Sequence, residues 1–129
     1  MPAQVQVMRA AELTAANGSP ANGMMTIYAF ANMSDRFCGS VMIAKPHTAS
    51  DVHHGDQDTI FYAANGNGVI VSGPNGSKRQ ELAPGDFALV PAFAQHQEVN
   101  DSDEDVTWIV TRHGKGSSVV HNRKCWGKS

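Results

Sequence analysis

Turn residues interrupt this chain at short intervals, and no other feature limits its fold as much. Asn17-Gly18-Ser19-Pro20, Asn22-Gly23, Asn65-Gly66-Asn67-Gly68, Gly73-Pro74-Asn75-Gly76 and Pro84-Gly85-Asp86 supply residues that accept a positive φ or preset a bend. Between them lie short β-prone runs at 25–30, 39–44, 59–64, 69–72, 87–90 and 106–111. Short strands at this spacing predict an all-β fold, an antiparallel sandwich or barrel. Residues 9–16 (RAAELTAA) are the one stretch of good helix formers, so at most one short N-terminal helix is expected, ending at Asn17-Gly18.

Two turns carry more specific expectations. Asn65-Gly66-Asn67-Gly68, between TIFYAA and VIVS, has the chemistry of a tight hairpin, and Asn75-Gly76 has the same between VIVS and KRQEL. The acidic run Asp101-Ser102-Asp103-Glu104-Asp105 reads as a solvated loop between strands. The chain has 129 residues and no internal repeat, which fits a single domain over 1–129. Residues 113–129, with four basic groups and no acid, read as a tail over one end of the barrel.

Charge and cysteine content remove several function classes. Ten Lys and Arg against twelve Asp and Glu leave a net charge of −2, whereas nucleic-acid binders normally carry a basic excess. No apolar run approaches the length of a membrane span, and MPAQVQVMRA lacks the pattern of a secretory signal, so a cytoplasmic protein is expected. Cys38 and Cys125 cannot build a thiolate zinc site, and two unpaired thiols are expected.

Six histidines remain as the chemistry-bearing residues: His47, His53, His54, His96, His113 and His121. Imidazole is a common ligand for transition metals and a general acid or base near neutral pH. His53 and His54 precede the 59–64 run, and His96 follows the 87–90 run, so one barrel would bring them together. Adjacent strand residues point to opposite faces, so His53 and His54 can share a metal only across a bulge, which Gly55 permits. Gln57 and Asp58, in the same loop, are alternative oxygen ligands. His47 reads as a surface loop residue, and His113 and His121 as non-ligands. Phe61, Tyr62 and Trp108 read as core.

The segment Gly85-x5-Pro91-x4-His96-x3-Asn100 is similar to the second motif of the cupin superfamily, G-x5-P-x-G-x2-H-x3-N, with Phe93 in place of the middle glycine. His54-x4-Thr59-x6-Gly66 resembles the latter part of the first motif, H-x-H-x3,4-E-x6-G. The resemblance covers roughly residues 39–112. Val52 stands where the first motif histidine would be and Thr59 where the glutamate would be, so the usual three-histidine, one-glutamate site cannot form in that register.

The resemblance implies a double-stranded β-helix, or jelly-roll, and one divalent transition metal ion of iron, nickel, copper, zinc or manganese. A subgroup of small cupins with a similar His-rich stretch favours Gln57 over Asp58, giving His53, His54, Gln57 and His96 as the expected metal ligands. His54 and His96 match the family positions directly and are the expected catalytic residues. The implied function is an enzyme acting on a small phenolic, enolic or carboxylated metabolite, as a dioxygenase or as a Lewis-acid isomerase or decarboxylase. The alternatives are a metal-free isomerase or cyclase using His54 or His96 as acid or base, and a non-catalytic small-molecule-binding module. No nucleic-acid or membrane partner is implied. By analogy a homodimer is expected, in which a strand over 4–8 pairs across the interface. Phe93 is expected to narrow the pocket mouth.

Overall fold

A computed structural model describes residues 4–14, 16, 18–116 and 119–121. Among the described residues, twelve short strands are joined by the turns that the Gly, Asn and Pro clusters mark: β1 (Gly18–Ala21), β2 (Met24–Phe30), β3 (Phe37–Ala44), β4 (Thr48–Ala49), β5 (His53–Gly55), β6 (Thr59–Asn65), β7 (Gly68–Ser72), β8 (Lys78–Leu82), β9 (Phe87–Val90), β10 (Gln97–Asn100), β11 (Val106–His113) and β12 (Val119–His121). They form a six-stranded sheet in the order β1-β2-β3-β11-β6-β9 and a four-stranded sheet in the order β4-β10-β7-β8. A two-stranded pair, β12-β5, completes the antiparallel double-stranded β-helix. The all-β expectation holds. No helix among the described residues is long and apolar enough to cross a membrane.

The inward faces follow from alternation along each strand. On β3, Cys38, Ser40, Met42 and Ala44 are buried, and on β11, Val106, Trp108 and Val110 are. Ile70 and Leu82 of the smaller sheet pack against this face, and Phe61 meets Trp108 edge to face at a centroid distance of 5.6 Å. Trp108 and Phe61 are thus core, as expected. Cys38 is buried and unpaired, whereas Cys125 lies outside the described residues.

Three local expectations need correction. The helix over 9–16 is reduced to a 3-10 turn at Ala10–Glu12, closed by the Arg9 N–H donating to Glu12 Oε2. All three residues are exposed, so no apolar face packs to extend it. Residues 4–8 form no strand. The Asn65–Gly68 turn is no hairpin, because β6 and β7 belong to different sheets and the turn carries the chain around Trp108 from one to the other. A Cβ on Gly68 would lie 2.2 Å from the Trp108 ring. Asn75-Gly76, by contrast, does join a paired hairpin, β7 to β8, and both residues take positive φ.

The acidic loop is solvated as expected. Asp101 pairs with Arg79, Asp103 with His47 and Asp105 with Lys45. Asn100, fully buried, stitches this corner by donating to the carbonyls of Ala44, Lys45 and Glu104.

Candidate metal centre

The site forms where β5 meets the start of β10. His53 and His96 are directly opposed in an antiparallel bridge, each N–H donating to the other's carbonyl at 3.0 Å. Directly opposed residues project to the same face, so both imidazoles enter the interior, with centroids 4.2 Å apart. Glu98 lies two residues beyond His96 in extended chain and therefore shares that face. Its Oε2 is 3.2 Å from the Nε2 of His53 and 3.2 Å from the Nε2 of His96. All three side chains are buried.

The other ring nitrogens are already committed. His53 Nδ1 lies 2.7 Å from the Asp51 carbonyl oxygen, and His96 Nδ1 lies 2.9 Å from that of Ala94. A carbonyl only accepts, so both Nδ1 atoms carry hydrogen and the neutral rings present Nε2 lone pairs to the Glu98 carboxylate. Three acceptors then face one another in the buried interior. Despite the short distances, His96 Nε2 and Glu98 Oε2 are buried without a well-aligned hydrogen-bond partner. A shared proton or a metal ion relieves such a cluster.

The electrostatics agree. Burial opposes a charge on His53, but the adjacent Glu98 carboxylate and the Asp51 carbonyl outweigh it and raise its pKa above 6.5, with Arg112 acting in the opposite sense. Burial alone would raise the Glu98 carboxyl, yet His53 and His96 hold it well below its ordinary 4.5. Donor atoms 3.2 Å apart also match two ligands about 2.0–2.2 Å from one tetrahedral ion. The residues therefore fit a single divalent cation, and hydrogen-bonded Nδ1 atoms are the usual support of metal-bound imidazoles.

Of the four ligands expected from the sequence, the structure brings His53 and His96 together. It does not bring His54 or Gln57 into their cluster. His54 follows His53 on a regular strand and projects to the other side, and its Nδ1 is buried without a hydrogen-bond partner. Gln57 donates its amide to the carbonyls of His113 and Gly116 at 2.6 Å, tying the loop after β5 to the end of β11, although it lines the small cleft beside His53 and His96. Asp58 accepts from the Ala92 N–H. Glu98 was missed because the polar QEVN segment did not read as a strand; its signal was the i, i+2 spacing from His96.

Besides that cleft, two larger cavities reach the cluster. One of about 480 Å³ includes His96 with Ile70, Leu82, Val90 and Ala94 in its wall. The other, of about 240 Å³, includes His53, Glu98 and Arg112 with Met24, Tyr28 and Met42. Phe93 does not narrow either one, since it is 70% exposed and lines neither. It occupies the motif-glycine position in the left-handed region, φ 68, while its N–H donates to the Gly55 carbonyl.

The chain is similar to several known proteins. Over 64 residues it is 30% identical to gentisate 1,2-dioxygenase 1 of Aquipseudomonas alcaligenes, a stretch covering 50% of this chain and only 18% of that enzyme. The polyketide cyclase RemF from Streptomyces resistomycificus superposes with a TM-score of 0.68 at 16% identity, over 82% of this chain and 73% of that one. A deletion mutant of oxalate decarboxylase from Bacillus subtilis superposes with a TM-score of 0.73 at 16% identity, over 82% of this chain and 30% of that one. Residues 40–112 match the family described as the Cupin domain, and the chain is a member of the cupin family.

Proposed function

We propose that the chain is a metal-dependent enzyme acting on a small phenolic, enolic or carboxylated metabolite, with His53, His96 and Glu98 holding one divalent ion. The single observation that carries this reading is the convergence of two Nε2 lone pairs and a carboxylate oxygen in a buried space. Glu98 supplies the acid that Thr59 cannot. Three protein ligands leave coordination positions open, and when bound such an ion supplies a Lewis acid or, if redox active, a site for dioxygen. The chain's own residues set the rest. The Asp51 and Ala94 carbonyls orient the imidazoles, Glu98 neutralises one charge, and Val90 and Ala94 give the larger cavity an apolar wall beside His96. The cavity of about 240 Å³ that His53 and Glu98 line has room for a small metabolite beside the cluster.

The likeness to a gentisate dioxygenase supports oxygen chemistry, and the test is direct. Protein purified without an affinity tag is assayed for metal and for oxygen uptake with gentisate and with related hydroxy acids. Bound iron with substrate-dependent oxygen uptake supports the dioxygenase. Bound metal with turnover and no uptake supports the isomerase or decarboxylase, and absence of bound metal contradicts the metal-dependent reading. A second reading, metal-free acid–base catalysis by His96 beside Glu98, is favoured by the raised proton affinity of His53, which lets the cluster store a proton.

A further inference from the structure

An arginine stands where the core pattern calls for an apolar residue. Along β11 the inward row runs Val106, Trp108, Val110 and then Arg112, half-buried at the end of the strand. Its cross-strand neighbours, Thr59 on β6 and Cys38 on β3, are both buried. Among the described residues no carboxylate lies within ion-pairing distance of its guanidinium, although Lys45, Arg79 and Lys115 each have one at the surface. Arg112 instead lines the 240 Å³ cavity together with His53 and Glu98, and the small cleft beside His53 and His96.

A half-buried guanidinium that lines a cavity with no carboxylate in ion-pairing distance is placed to bind an anion entering that cavity. A planar fork of donors is the group that holds a carboxylate through two parallel hydrogen bonds. A divalent ion with one glutamate ligand would retain one positive charge, and Arg112 adds a second. The cavity is therefore electrostatically suited to an anion with an oxygen to offer the metal. We propose that Arg112 anchors a carboxylate group of the substrate in the cavity it shares with His53 and Glu98. This names the substrate class of the same site and rests on the metal-dependent reading above.

The test compares benzoate with benzamide, its uncharged counterpart, by calorimetric titration of the full chain, both metal-free and loaded with zinc. Wild type, Arg112→Gln and Arg112→Lys are titrated in parallel, with circular dichroism confirming the fold. Wild type should bind benzoate more than tenfold tighter than benzamide. Arg112→Gln should lose more than tenfold of the benzoate affinity, with benzamide binding and zinc stoichiometry unchanged. Arg112→Lys should recover part of the loss, since it keeps the charge without the fork. Equal benzoate affinity in wild type and Arg112→Gln, equal affinity for the two compounds, or no benzoate binding at millimolar concentration would overturn the proposal. Failure of the metal-dependent reading shows separately, as a wild type that takes up no zinc, and leaves the metal-free comparison intact.

Discussion

Glu98 Oε2 lies 3.2 Å from His53 Nε2, so two groups that only accept in their unprotonated forms are held together in the interior. In the metal-free protein a proton on His53 resolves the conflict, which is why its pKa is raised. The resulting stabilisation is present below the ordinary imidazole value of 6.5 and is lost as pH rises through the folded value. Glu98, held low, contributes above 4.5 and loses its contribution as pH falls through its own folded value. Metal-free protein should therefore melt highest between about pH 4.5 and 6.5 and at lower temperature above that window. With zinc bound, the decline above it should disappear, because the metal takes the place of the proton. Melting curves across pH, in chelator and in zinc, check this; a decline of the same size in both would contradict it.

Phe93 should respond well to glycine. A side chain in the left-handed region costs about 1–2 kcal/mol, and this one is mostly solvent-exposed, so little packing is lost with it. Glycine gives back part of the gain through unfolded-state entropy. Phe93→Gly should raise stability by up to about 1 kcal/mol and leave metal binding unchanged, as measured by denaturant unfolding. A loss of stability would contradict the strain assigned to Phe93.

Gly68→Ala should be among the more damaging single changes outside the site. The added methyl would meet the fully buried Trp108 ring at 2.2 Å, so the ring or the backbone must shift. A cost of about 1–3 kcal/mol is expected from unfolding curves. Gly39→Ala is the control, since neither glycine has a positive φ and nothing lies closer than 4.0 Å to the new atom at Gly39. Equal costs at the two positions would remove the steric explanation.

The β-architecture was legible because turn chemistry is local. Asn75-Gly76 fixes a hairpin by its own backbone preferences. Asn65-Gly66 has the same preferences and instead changes sheets, a choice made by the packing of Trp108 under Gly68, which lies far from it in sequence. The site was half legible for the same reason. His96 sits in a motif with its turn and its strand, so the sequence already offers it as a candidate. His54 occupies the position matching the family pattern, but pairing register decides which of two adjacent histidines faces inward, and the bridge of His53 to His96 is a tertiary fact. Arg112 could have been flagged from its period-2 spacing after Trp108 and Val110, the same alternation that places Glu98 beside His96.

A competition titration with zinc across single-residue variants tests the centre most directly. Wild type should bind one equivalent. His96→Ala and Glu98→Ala should each weaken binding by more than tenfold, or at least about 1.4 kcal/mol. His54→Ala, facing away on β5, and His47→Ala, on the surface with Asp103, should bind as wild type does. Wild-type affinity in Glu98→Ala together with loss in His54→Ala would contradict the centre built from His53, His96 and Glu98.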